Sequence, residues 1–367
     1  MPLWRQEFWR MKLCVRGYNK REQDEGAGNG AFCGICRSRE ICGPERKGGT
    51  VMRVDNRKVA LIGTGMVGMS YAYAMLNQSA CDELVLIDVN RKRAEGEAMD
   101  LNHGLAFAPS NMKIYAGDYE DCEDADIVVI CAGVAQKEGE TRLDLLKRNA
   151  AVFQSIVDPV TASGFNGIFL VATNPVDIMT RITCDLSGFN PRRVLGTGTT
   201  LDTARLRYLL GGYLNVDPRN VHAYVIGEHG DSEFVPWSQA MLATKPILSL
   251  CGEKGSRRVC QDELDQIAEE VRSAAYRIIE AKNATYYGIG MALTRITKAI
   301  LGDEHSVLTV TAMLKGEYGQ SGVFAGVPCI INKNGIQSVL TLSLTEEELG
   351  RLASSCETLG KSYEGIL

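Results

Sequence analysis

The chain has 367 residues, of which 45% are apolar and 23% charged, and its formal net charge is −5. Such a length allows two domains or one large one, and the composition is that of an ordinary globular protein. Wholesale disorder, collagen-like repeats and coiled-coil architecture are excluded, and no overall basic field favours nucleic acid.

The charge is divided unevenly. Residues 1–51 carry ten basic and six acidic side chains, a net of +4, so the remainder holds −9. No helical or strand period is sustained in this first segment, and glycines break it from Gly26 to Gly30. Cys33, Cys36 and Cys42 form a C-x2-C-x5-C run with Cys14 far upstream, a poor spacing for a zinc knuckle, and no His accompanies them. Residues 1–56 read either as a disordered extension or as text upstream of a start at Met52. Lys47-Gly48-Gly49 can be encoded by purine-rich codons of the ribosome-binding type, two codons before that Met. Charges at Arg5, Glu7, Arg10, Lys12 and Arg16 interrupt any secretory apolar stretch. No run approaches the eighteen or so apolar residues of a membrane span. The twelve cysteines lack a dense spacing pattern and read as reduced thiols of a cytoplasmic protein.

From Lys58 the text changes. K-V-A-L-I-G is a buried-strand run of small and branched apolar residues. It leads into Gly63-Thr64-Gly65-Met66-Val67-Gly68, a G-x-G-x-x-G element, and a helical stretch from Met69 to Asn77 follows. Alone, such an element is no more than a tight turn. Here a second apolar strand, Leu84–Ile87, ends in Asp88, twenty residues past Gly68. The turn holding Gly63, Gly65, Met66, Val67 and Gly68 would let backbone approach a pyrophosphate at the positive end of the helix. Asp88 would accept hydrogen bonds from both adenosine ribose hydroxyls and repel a 2′-phosphate, which favours NAD over NADP.

More strands follow at βα spacing: Lys113–Ala116, Asp126–Cys131 and Ile168–Ala172, with helical text over Arg91–Gly104 and Arg142–Gly164. This alternation predicts an α/β fold with a Rossmann-type, doubly wound parallel sheet over residues 57–199. Ligands of such sheets lie at the carboxyl ends of the strands. Two polar elements sit there, Ala132-Gly133 through Arg142 and Thr173-Asn174-Pro175-Val176-Asp177. Residues 200–367 are expected to form a second, mixed α/β domain that takes the substrate. Helical text runs there from Ser256 through Asn283 and on to about Leu301, with strands near Ser306–Leu314 and Val323–Asn332. A last helix, Glu346–Tyr363, is opened by Thr345 with Glu348 three later, a capping box.

Of four histidines, His229 is set apart by Ile226-Gly227-Glu228-His229-Gly230-Asp231-Ser232. It follows an apolar, strand-like run and is flanked by glycines, which suits a side chain presented at a cleft. Upstream, Leu201-Asp202-Thr203-Ala204-Arg205 places Asp202 and Arg205 three apart on one helix face, by itself a local ion pair. Together with the glycine turn, the A-G-V-A-Q-K-E-G-E-T-R loop and the N-P-V-D element, these motifs resemble the lactate/malate dehydrogenase family. Its bacterial lactate-type members are matched better than the animal ones. The match runs from about Lys58 to the C-terminus, and residues 1–51 have no counterpart in it.

The resemblance implies an NAD-dependent oxidoreductase that passes a hydride between NADH and pyruvate to give L-lactate, the last step of fermentative glycolysis. It makes His229 the acid and base, with a reference pKa near working pH. Asp202 orients that imidazole, and Arg205 grips the substrate carboxylate in a bidentate fork. Arg142, on a lid of about residues 133–146 that includes Gly133 and Gly139, would close on the carbonyl and polarise it. Gly133 and Asn174 would lie against the cofactor, while Asn174, Gln136 and Thr285 would line the substrate pocket. Malate enzymes carry an Arg at the place of Gln136, so the neutral amide favours the methyl group of pyruvate. Lys137 is expected to face solvent. Arg207 and His222 match the intersubunit pair that takes fructose 1,6-bisphosphate in bacterial members, and the resemblance implies a homotetramer. No metal site is implied. Dehydrogenases of larger 2-hydroxy acids are the runner-up. From another class comes a silent NAD-binding scaffold, which need not keep His229, Asp202, Arg205 and Arg142 together.

Overall fold

The computed structural model describes residues 57–134, 139, 142–250, 260–364 and 366, without the side chain of Arg142. Residues 1–56, and with them the choice between an extension and an internal start, lie outside the described residues. So do Gln136 and Lys137.

The first half alternates strand and helix. β1 (Lys58–Ile62) leads to α1 (Met66–Gln78), β2 (Glu83–Ile87) to α2 (Arg91–Gly104), and β3 (Lys113–Ala116) follows. β4 (Ile127–Ile130), α3 (Arg142–Ala162), β5 (Ile168–Val171), α4 (Val176–Ser187) and β6 (Val194–Gly196) complete it. β1, β2, β4 and β5 are buried at every position, as branched apolar runs covered on both faces must be. The six strands are parallel in the order β3-β2-β1-β4-β5-β6. The order reverses between β1 and β4, and that reversal opens a crevice at their carboxyl ends.

The second half contains α5 (Thr200–Leu214) and a small sheet of β7 (Val221–His222), β8 (Met241–Leu242) and β9 (Lys245–Pro246). Then come α6 (Gln261–Lys282), α7 (Tyr287–Leu301), β10 (Ser306–Lys315), β11 (Ser321–Asn332), β12 (Gly335–Val339) and α8 (Glu346–Tyr363). β10, β11 and β12 are antiparallel, and β10 joins β6 with Thr311 opposite Gly196, giving one sheet of nine strands. A Cβ on Gly196 would lie 2.3 Å from Thr180 Oγ1 and 2.7 Å from Thr311 Oγ1, so the junction requires glycine. A second apolar cluster, including Leu206, Leu210, Val221, Val235, Ile247 and Leu264, lies under α5 and the start of α6.

Two expectations shift. The first helix begins at Met66 rather than Met69, because its opening turn is built from the glycine element itself. The apolar run before His229 is strand only at Val221–His222. At Val225 side-chain hydroxyls replace a ladder partner, with Val225 N–H donating to Thr203 Oγ1 (3.0 Å) and Thr199 Oγ1 donating to Val225 O (2.6 Å), and Ile226 and Gly227 form isolated bridges with Phe234 and Gly326. The capping box on α8 is present, with Thr345 N–H on Glu348 Oε2 (2.9 Å) and Glu348 N–H on Thr345 Oγ1 (3.3 Å).

Candidate active site

The crevice between β1 and β4 is shaped by absent side chains. Gly63 has φ +99°, and a Cβ there would lie 2.6 Å from Ala132 N. A Cβ on Gly68 would lie 2.0 Å from Gly63 O, so the turn packs on itself. Gly65 is different. Nothing lies within 4 Å of its missing Cβ, although it is the N-cap of α1 and no side chain caps that helix. The open space faces the uncapped N–H groups, the arrangement that suits a pyrophosphate. Met66 is exposed and Val67 half-buried at the rim.

At the end of β2, Asp88 Oδ2 accepts from Thr64 N–H (2.8 Å) and Thr64 Oγ1 (2.9 Å), while Oδ1 accepts from Asn90 N–H (2.9 Å). Partial burial would raise this carboxyl, but the N–H donors of Asn90 and Thr64 outweigh it and hold the group below its ordinary value. An anionic acceptor therefore stands beside the open glycine, as a dinucleotide requires. Across the crevice, a Cβ on Gly133 would meet Thr173 Cγ2 at 2.6 Å, and Thr173 Oγ1 donates to Ala132 O (2.7 Å). Asn149 Oδ1 accepts from Val134 N–H (2.9 Å). Asn174 follows Thr173 at the end of β5 and is exposed.

The two glycines separate binding from folding. Gly65→Ala is expected to leave unfolding stability within about 1 kcal/mol, the scale of an N-cap change. It should raise the NADH dissociation constant about tenfold, the equivalent of one charge-assisted contact of ~1.5 kcal/mol. Gly68→Ala is expected to cost about 3 kcal/mol of stability, because its Cβ meets backbone. Urea unfolding beside NADH fluorescence titration checks both; equal stability losses would contradict the geometry.

A second cluster of polar residues is built on α5 and the turn that holds His229. α5 carries Asp202 and Arg205. Asp202 Oδ1 accepts from Arg205 Nη1 (2.7 Å) and Oδ2 accepts from His229 Nδ1–H (2.6 Å). Their side chains are 2%, 14% and 23% exposed for Asp202, Arg205 and His229. Burial lowers the imidazole pKa, but the Asp202 carboxylate beside it outweighs burial and raises it above the ordinary histidine value. Burial likewise raises Asp202, and here His229 and Arg205 win and hold it ionised. With Nδ1–H committed to Asp202, Nε2 is left to exchange a proton with a ligand.

The imidazole is held through its backbone as well. His229 N–H donates to Asp177 Oδ2 (2.8 Å) on α4, and Thr311 Oγ1 on β10 donates to Asp177 Oδ1 (2.6 Å). Burial pushes the Asp177 carboxyl up to about 6. Gly227 exchanges both backbone bonds with Gly326 of β11, and Glu228 N–H donates to Ser355 Oγ (2.8 Å) of α8. Four elements thus fix the backbone of this turn and α5 fixes the ring, the preorganisation that a positioned acid requires.

Sequence reasoning missed Thr64, Asp177, Thr311 and Glu233. Glu233 is 5% exposed, and Asp202, His229 and Glu233 place ligand atoms within 4.8 Å of one another. Such a trio could hold a divalent ion, yet the Arg205 guanidinium already occupies one oxygen of Asp202. The remaining candidates lie further out. Thr285 is half-buried in the link between α6 and α7, and among the described residues no hydrogen bond joins it to His229 or Arg205. Gly139 has φ +76° with open space around it, while Gln136 and the Arg142 side chain fall outside the described residues. Arg207 Nε donates to Ala223 O (3.2 Å), its guanidinium 5.3 Å from the Tyr224 ring centroid, so it lies beside exposed His222 and faces away from Asp202.

Comparison with known proteins gives the family. Residues 57–196 match the lactate/malate dehydrogenase NAD binding domain, and residues 199–367 match the alpha/beta C-terminal domain of the same family. L-lactate dehydrogenase 2 of Bacillus anthracis is 52% identical over 316 residues, 86% of this chain and 100% of that one. L-lactate dehydrogenase of Geobacillus kaustophilus is 57% identical over 302 residues, 82% of this chain and 95% of that one. The crystal structure of a lactate dehydrogenase from a Medee basin deep-sea metagenome library superposes with a TM-score of 0.83. It is 52% identical and covers 85% of this chain and 99% of its own. A glycine crevice ending in an acid, an Asp-held histidine and two family domains spanning residues 57–367 lead to one assignment: the chain belongs to the lactate/malate dehydrogenase family.

Proposed function

We propose that the chain is an NAD-dependent L-lactate dehydrogenase that interconverts pyruvate and L-lactate at the end of fermentative glycolysis in the cytoplasm. The observation that carries this reading is the His229–Asp202–Arg205 cluster: one carboxylate with an imidazole at 2.6 Å and a guanidinium at 2.7 Å. Relatives named L-lactate dehydrogenase at 52–57% identity support it. Residues 57–199 hold the cofactor and residues 200–367 supply most of the substrate site.

When bound, NADH would supply a hydride for the carbonyl carbon. The Gly63–Gly68 turn and Asp88 would hold its adenosine and pyrophosphate end, and Gly133 and Asn174 its nicotinamide end. Protonated His229 donates from Nε2 to the carbonyl oxygen of pyruvate, and in reverse the neutral imidazole accepts the proton of lactate. Arg205 keeps Nη1 on Asp202 and turns its other N–H donors to the substrate carboxylate. From the family resemblance, Arg142 would polarise the carbonyl, and Gln136 and Thr285 would serve the methyl end. Gln136 offers no charge to a second carboxylate, so oxaloacetate would enter unpaired. NADH oxidation with pyruvate, oxaloacetate and branched 2-keto acids tests the reading. Pyruvate is expected to be preferred. Preference for oxaloacetate or a branched acid would replace the substrate, and no turnover at all would leave a silent scaffold.

Regulation by fructose 1,6-bisphosphate in a homotetramer belongs to the same reading. Arg207 of α5 reaches the carbonyl of Ala223, the residue after His222 of β7, so a guanidinium and an exposed imidazole lie on neighbouring elements. Two such pairs meeting across a symmetry axis would surround two phosphates. Fructose 1,6-bisphosphate is expected to lower the pyruvate concentration for half-maximal rate. An unchanged value, or the same response from Arg207→Gln, would remove the pair from this role.

A further inference from the structure

Glu233 is a buried acid that the proposed reaction does not use. One of its carboxyl oxygens lies within 4.8 Å of both a His229 ring nitrogen and an Asp202 carboxylate oxygen. The backbone pins it there: Glu233 N–H donates to Gly230 O (3.2 Å), and Arg272 Nη2 of α6 donates to Glu233 O (3.4 Å). Among the described residues its carboxyl accepts no hydrogen bond. The charged groups facing it are Asp202 and Arg205 from α5, His229 from its own turn and Arg272 from α6. Asp177 of α4 faces the backbone of His229 behind them.

Two carboxyls this close cannot both ionise cheaply in a buried site. Asp202 is committed, with one oxygen on His229 and the other on Arg205. Glu233 has no such pair, so the proton stays with it. Burial first, and then Asp202, push its carboxyl far above the ordinary glutamate value, against the pull of His229, Arg205 and Arg272. The consequence is a charge count. Arg272 is paired with Glu269 and drops out of the count. With Glu233 neutral, Asp202, protonated His229 and Arg205 sum to one positive charge, the complement of a monocarboxylate. With Glu233 ionised the sum is zero, and a bound carboxylate becomes an uncompensated buried charge.

We propose that Glu233 is a positioning residue for charge: held neutral, it keeps the His229–Asp202–Arg205 cluster one positive charge in excess, and its ionisation closes the site to anionic 2-keto acids. This rests on the lactate dehydrogenase reading above. Pyruvate binding then depends on two protons that belong to His229 and Glu233 as a coupled pair.

Two measurements test it. Oxamate, a non-reducible isostere of pyruvate, is titrated calorimetrically into the enzyme–NADH complex at pH 9.5 in two buffers of different ionisation enthalpy. The wild type is expected to take up more than one proton per oxamate, and Glu233→Gln no more than one. Uptake of one or fewer by the wild type overturns the proposal whether or not the variant folds. In the second, log kcat/KM for pyruvate is followed from pH 7 upward. The alkaline limb of the wild type is expected to approach a slope of two, about a hundredfold per pH unit, and that of Glu233→Gln a slope of one. A merely structural role would lower activity without changing slope, so equal slopes overturn the proposal alone. No pyruvate turnover by the wild type at pH 7 overturns the lactate dehydrogenase reading and this inference with it.

Discussion

Asp202→Asn is expected to lower kcat/KM for pyruvate by about 10³-fold or more at neutral pH, with the fold retained. The amide matches the carboxylate in shape but not in charge. In the wild type the Asp202 carboxylate outweighs burial and keeps the His229 pKa raised, so the acid form persists at neutral pH and is lost only as pH climbs through that raised value. Without the charge, burial is the largest remaining influence, and it favours the neutral ring. The alkaline limb of pyruvate reduction should therefore move to lower pH, by at least about one unit, and residual activity should peak in acid. Arg205 loses its anchor in the same step. A pH profile of kcat/KM checks this; a large loss with an unshifted limb would mean that Asp202 holds only the shape of the site.

Arg205→Lys is expected to raise KM for pyruvate by about 10²–10³-fold, the loss expected on truncating one partner of a buried, hydrogen-bonded charge pair. Charge is conserved, so the effect isolates geometry. Arg205 already spends Nη1 on Asp202 Oδ1 at 2.7 Å, and a guanidinium has further N–H donors in the same plane for a second carboxylate. A lysine ammonium is a single point. It must sit on Asp202 or on the substrate, and Asp202 is always present. Steady-state kinetics beside an oxamate dissociation constant checks this, and a KM within a fewfold of wild type would take the substrate carboxylate away from Arg205.

Elements specified by local text were legible in the sequence. The ranges of β3, α2 and α8 coincide with their expected ones, because continuous apolar runs, βα spacing and a Thr345–Glu348 box are local signals. The glycine turn, Asp88, Asp202, Arg205 and His229 were legible for the same reason: each sits in a short motif. What stayed hidden depends on distance along the chain. Asp177 meets Thr311 across 134 residues and His229 across 52, and nothing in N-P-V-D announces that its acid faces inward. Glu233 reads as an ordinary polar residue in a turn until its neighbours from α5 and α6 are in place. The run before His229 is apolar like a strand, but at Val225 the side chains of Thr199 and Thr203, more than twenty residues upstream, take the backbone bonds, and Ile226 and Gly227 form only isolated bridges.

The pairing of β10 with β6, with Thr311 opposite Gly196, has a mechanical consequence. One sheet runs from the strands beneath the cofactor crevice to those behind the imidazole, joined where Thr311 meets Gly196. Gly227 is bonded to β11, and Asp177 ties α4 to β10 and His229 together. Two lobes that share a sheet resist swinging apart, because shear between them would break hydrogen bonds in the middle of the molecule. The gap between the cofactor edge and His229 is therefore inherited from strand register at folding. Motion during turnover is left to side chains and to segments that lie outside the sheet.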